Sequence, residues 1–98
     1  MGAIDIQLKF DGNLTKAEVE QKIRERREED RDYNGHREGY SGDWQTINNI
    51  AFFPEKVFED ENTAIDWCDN NCEKREAVAV KLKTTDKIFW YVWGLAAM

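Results

Sequence analysis

An α+β fold is what this sequence predicts: two helices on a small, mainly antiparallel sheet, in the order β-α-β-(β)-α-β-β, built as a single domain over residues 1–98. Three observations carry that prediction. Apolar and polar residues alternate with period two near the N-terminus and again at 77–83, the pattern of strands with one buried face. Two stretches between them carry helix-start signals and helical spacing. Finally, Ile88-Phe89-Trp90-Tyr91-Val92-Trp93 is apolar at every position, as a strand covered on both faces would be.

In the first strand Ile4, Ile6, Leu8 and Phe10 alternate with Asp5, Gln7 and Lys9. Asp11-Gly12-Asn13 ends it with residue types that suit turns and positive φ. Thr15 opens a helix, and Glu18 three residues on completes a capping box. This helix is expected over about 15–33, with Ala17, Val19 and Ile23 its only apolar residues from Lys16 to Asp32. The charged run after Ile23 is expected to project into solvent, supported by pairs such as Arg24 with Glu28 and Arg26 with Asp30. It can equally turn Arg27 or Arg31 toward the glycine-rich loop beyond it. A strand is expected over 44–53, bent or bulged near Asn48. Pro54 confines the next residues to a sheet edge, with Lys56-Val57-Phe58 as a short edge strand. Asn62 or Thr63 is expected to cap a second helix over about 64–74, with Ala64, Ile65, Trp67, Cys68, Asn71 and Cys72 on its inner face. The strands at 77–83 and 88–93 then form a hairpin around Thr84-Thr85-Asp86-Lys87. Two-sided burial of the last strand calls for a cover beyond one helical layer, and a partner subunit is the expected source.

Composition narrows the function classes. The net charge is −6, and between Glu55 and Glu76 eight acids meet only three bases. Such a surface is wrong for a protein that binds nucleic acid directly by neutralising phosphates. It suits an acidic face that meets a basic protein. No apolar run approaches the ~20 residues of a membrane span, and nothing after Met1 reads as a secretory signal, so the expected location is the cytoplasm of a host bacterium. Cys68 and Cys72 are the only cysteines, and the single histidine lies far from them, so two buried free thiols are expected and no metal or other cofactor.

The loop over 34–44 concentrates unusual chemistry. It holds three of the six glycines, the only histidine, and two aromatics among polar neighbours. Gly35, Gly39 and Gly42 allow backbone N–H groups to converge on a ligand. His36 and Arg37 are candidates for a phosphate or carboxylate, Tyr40 and Trp44 for stacking on a base, and Ser41 for a hydroxyl contact, with Arg31 supplying further positive charge. A turn that needs glycines, with Tyr40 and Trp44 plugging the core, would explain the same residues. No phosphate-binding fingerprint matches the spacing. His36 and Ser41 share one loop and have no orienting third group, so an enzyme is not expected.

The residues Gly35-His36, Gly39-Tyr40 and Gly42, with Ala77-Val78-Ala79-Val80 and Trp93-Gly94 later, resemble small phage and bacterial proteins that carry a Gly-His-x-Gly-Tyr-x-Gly loop after a charged helix. The chain departs from that pattern in having Arg37-Glu38 where one residue is expected, and Asp43-Trp44 in place of Thr-Ile. The resemblance implies a phage-type accessory protein that counters bacterial defence. On it rests the expectation of a homo-oligomer that binds and sequesters a nucleotide-derived immune signal through His36, Arg37, Tyr40, Ser41, Gly42, Trp44 and Arg31. The alternative is an acidic inhibitor of a host nuclease or nucleic-acid-binding protein.

Overall fold

The alternating N-terminal residues form β1 (Ala3–Asp11) in the computed structural model, which describes residues 3–34 and 44–97. The capping box closes as the sequence requires. Thr15 N–H donates to Glu18 Oε1 at 3.0 Å and Glu18 N–H donates to Thr15 Oγ1 at 3.2 Å, opening α1 (Lys16–Asn34). A single 3-10 turn (Trp44–Thr46) precedes β2 (Asn49–Phe58). Then come α2 (Glu61–Asn70), β3 (Glu76–Lys83) and β4 (Ile88–Ala97).

The sheet order is β1-β4-β3-β2. The β3–β4 hairpin and the β1–β4 pair are antiparallel, while β2 and β3 run parallel, joined across α2. The expected α+β class therefore holds, with β4 in the interior of the sheet. Its even residues Trp90 and Val92 share a core with Val19 and Ile23 of α1, Trp44, Ile47, Ala77 and Ala79. Its odd residues Tyr91 and Trp93 share a second core with Ala64 and Cys68 of α2, Val78, Val80 and Leu82. The chain is thus three layers, helix on sheet on helix. The second cover of β4 comes from the chain's own α1, so β4 gives no reason to expect a partner subunit.

Four expected boundaries move. The strand expected from Trp44 begins only at Asn49, because Trp44–Thr46 coils and Ile47 N–H donates to the Trp44 carbonyl at 3.1 Å. Lys56-Val57-Phe58 is not a separate strand but the far half of β2, whose register with β3 shifts between Phe52 and Val57, around Pro54. The α2 cap is Asp60, whose carboxylate accepts from Thr63 N–H at 3.0 Å and from its hydroxyl at 3.1 Å. That helix ends at Asn70 because Asn71 takes its last carbonyls: its N–H donates to Cys68 and its side-chain amide to Trp67. Cys72 therefore lies beyond α2, with both thiols free and buried.

Gly12 is needed for close approach, not for a left-handed backbone. Its N–H donates to the Ile88 carbonyl at 3.0 Å, and a Cβ built there would lie 2.2 Å from that oxygen. Gly12→Ala must push β1 and β4 apart at this end, and is expected to cost about 1–3 kcal/mol in urea unfolding.

Burial pushes the Cys68 thiol from 9.0 up to about 12, with the nearby Cys72 adding to the rise. Between those values the unfolded chain holds fewer protons than the folded one. Stability from this group is complete below the unfolded pKa and falls as pH rises through the window, by up to about 1.4 kcal/mol per pH unit. Tyr91 shifts upward for the same first reason and adds to the loss at still higher pH. Lys81, lowered by burial, works in the opposite direction. Urea midpoints measured at about pH 8 and about pH 10 should fall for the native sequence and fall less for Cys68→Ala.

Candidate functional site

One carboxylate ties Trp44 back to α1. Asp30, on the last turns of α1, accepts from the Trp44 N–H at 2.9 Å and from Arg26 Nε at 3.1 Å. Its side chain is only 13% exposed. The inner stripe of α1 explains why it points there. Val19 and Ile23 are buried, and at the same helical spacing follow Arg27 and Asp30, both half-buried. Polar residues thus occupy the two positions of the stripe nearest the loop.

Between that stripe and the start of β2 lies a hollow of about 270 Å³, lined by Glu20, Ile23, Arg24 and Arg27 of α1 and by Ile47, Asn48, Asn49, Ile50 and Phe52. Arg27 lines this hollow, and its Nε is buried behind it with no hydrogen-bond partner. A guanidinium N–H kept from water and left unpaired is costly, so turning the side chain outward breaks no internal bond at Nε. Arg24 is restrained beside it by donating to Gln21 Oε1 at 2.9 Å, not by the expected Glu28. The hollow has room for a phosphate or a sugar rather than for a whole nucleotide.

The sequence-based site residues fare unevenly. His36, Arg37, Tyr40, Ser41 and Gly42 lie outside the described residues. Trp44, expected to offer a stacking face, is instead 2% exposed and packed against Val19 and Ile23, so its indole serves the core. Arg31 is exposed on the last turn of α1. Among the described residues, the arginines that line the hollow are Arg24 and Arg27. Continuing the Val19–Ile23 spacing into the charged run would have singled out Arg27 and Asp30; the absence of apolar residues there conceals it.

A larger cleft of about 660 Å³ opens at the opposite end of the sheet, beneath the turn at Gly12. Lys81 dominates it: its Nζ donates to the Gly12 carbonyl at 2.9 Å and lies 4.0 Å from the centre of the Trp90 ring. That ammonium tethers the turn to the sheet. The lining carries three lysines, Lys9, Lys81 and Lys87, against two aspartates, Asp11 and Asp86, a net charge of +1. Among the described residues no three His, Cys, Asp or Glu side chains converge as a metal site, and no helix is long and apolar enough to cross a membrane.

No family model matches the chain, and no curated protein or solved structure matches it either.

Asp30→Ala leaves the Trp44 N–H without its acceptor. It should lower stability by about 1–3 kcal/mol and red-shift the tryptophan emission. Arg26→Ala, which removes only the exposed half of the Arg26–Asp30 pair, should cost under about 1 kcal/mol in the same thermal melts.

Proposed function

We propose that this chain binds a nucleotide-derived small molecule, with the phosphate or sugar seated in the hollow between α1 and the start of β2. The pair of arginines in its lining, Arg24 and Arg27, is the observation that carries the reading. Arg27 has no hydrogen-bond partner at its buried Nε, so turning that N–H toward a phosphate oxygen breaks no internal bond. Asn48 and Asn49 bring side-chain amides suited to sugar hydroxyls. His36, Arg37, Tyr40 and Ser41 are assigned to the same site on their side-chain chemistry alone. Its role is capture rather than chemistry: a phage-type accessory protein, working as a homo-oligomer in the bacterial cytoplasm, that sequesters an immune signal. The acids Asp66, Asp69 and Glu73 are exposed, which would serve the second reading, contact with a basic host protein. The two arginines of the hollow favour the small molecule.

Thermal unfolding against cyclic di- and trinucleotides and cyclic ADP-ribose isomers tests this. A ligand at about 100 times its Kd adds about 2.7 kcal/mol, which for a domain of this size raises Tm by roughly 10–20 °C. Arg27→Gln should abolish most of that rise while leaving the unliganded Tm unchanged or higher, since a buried unpaired N–H is relieved. No shift with any of these ligands would contradict the proposal.

A further inference from the structure

The two edges of the sheet differ in a way that bears on assembly. β2 is a poor template for another strand, because Pro54 removes a backbone donor and the register with β3 shifts around it. β1 has no such protection. It pairs with β4 from Ala3 to Asp11 without a bulge or a proline. Gly12 N–H donates to Ile88, and bonded pairs alternate along an antiparallel ladder, so Phe10, Leu8, Ile6 and Ile4 also turn their backbone groups toward β4. The N–H and C=O groups of Ala3, Asp5, Gln7, Lys9 and Asp11 therefore point out of the sheet.

A second copy fits that edge in one register. Antiparallel pairing about a two-fold axis must set outward residues opposite outward residues. Centring it on Asp5 or on Lys9 opposes like charges, and centring it between Gln7 and Lys9 sets Asp5 against Asp11. Centring it between Asp5 and Gln7 leaves Asp5 facing the neutral Gln7. Centring it on Gln7 sets Asp5 against Lys9 on both sides of the axis, and every outward backbone group from Ala3 to Asp11 finds a partner. The same register sets Ile4 beside Phe10 and Ile6 beside Leu8 on the face that carries α1. That covers a row which α1 leaves partly open, with Ile4 41% exposed and Ile6, Leu8 and Phe10 half-buried. Lys9 already meets Glu61 of α2 at 3.1 Å, but this pair is half-exposed and leaves further ammonium donors free.

The geometry points to an isologous dimer in which β1 pairs with β1 of a second copy, centred on Gln7, to make one continuous eight-stranded sheet. This rests on the oligomeric part of the proposed function and supplies its interface; it does not depend on the ligand.

Sedimentation equilibrium on the ligand-free chain tests it. The native sequence should give twice the chain mass of 11.5 kDa. Gln7→Pro removes an outward N–H without breaking the β1–β4 backbone ladder, and also takes the acceptor of the Tyr91 hydroxyl; it should give a less stable monomer with an unchanged far-UV spectrum. Asp5→Lys alone and Lys9→Asp alone should each weaken the dimer roughly tenfold or more, and an equimolar mixture of the two should dimerise again, because every cross-strand pair is then opposite in charge. A native chain that is monomeric overturns the proposal. So does a dimer that survives Gln7→Pro, or a mixture that fails to restore what the single reversals lose. A dimer without any nucleotide response would leave this interface standing and remove the ligand; a monomer that responds to nucleotide would do the reverse.

Discussion

Everything in this fold depends on hiding both faces of β4. Trp90 and Val92 on one side and Tyr91 and Trp93 on the other are all buried, and one helix cannot cover both sets. The chain solves this by sending its two crossovers to opposite faces. α1 leads from β1 to the far edge of the sheet over Trp90 and Val92, and α2 leads from β2 to β3 over Tyr91 and Trp93. The two covers are unequal. α2 brings Ala64 and Cys68 down onto Val78 and Val80, and Trp67 meets Phe53 edge-on at 5.2 Å. α1 buries only Val19 and Ile23, so the 3-10 turn supplies the rest of the layer through Trp44 and Ile47. The turn is bound in place: Thr46 Oγ1 accepts from Ala97 N–H at 3.1 Å, and Asn48 N–H donates to the Arg75 carbonyl at 2.8 Å.

That inequality links fold to site. A helix with a thin apolar stripe cannot seat its whole length on the sheet. Where the stripe turns polar, at Arg27 and Asp30, α1 leaves a hollow whose lining mixes Glu20, Arg24 and Arg27 with the apolar Ile23, Ile47, Ile50 and Phe52. Asp30 is satisfied by Trp44 and Arg26, and Arg27 is not satisfied at Nε. On the opposite face the charged residues are outside, as an ordinary amphipathic helix requires. The place where α1 stops packing on the sheet is the place where two of its arginines line a hollow.

The elements are legible where one physical signal rules. Period-two alternation marks β1 and β3, the capping box marks the start of α1, and apolarity on both faces puts β4 inside the sheet. Boundaries are lost where two signals compete. Trp44, Thr46 and Ile47 are good strand formers by type, yet they coil because the core above Trp90 needs filling. Asp60, Asn62 and Thr63 all suit a helix cap, and Asp60 takes the place by reaching Thr63. The need for a second cover on β4 is plain in its residues, but α1 looks too polar to serve, which turns the expectation toward a partner instead. For the site, composition directs attention to the loop glycines and His36, which lie outside the described residues. Arg27 is visible only as one charge among nine consecutive polar residues, since it is the fold that turns it inward.

Native-state amide exchange in the Gln7→Pro chain, whose β1 edge is closed to a second copy, addresses the central claim most directly. If α1 and α2 of a single chain cover both faces, the β4 amides at Trp90, Tyr91, Val92 and Trp93 will exchange only through global unfolding, with the same free energy as urea denaturation. Exchange of these amides through local opening, well below that free energy, would mean that one face is bare in the isolated chain and would contradict the three-layer account.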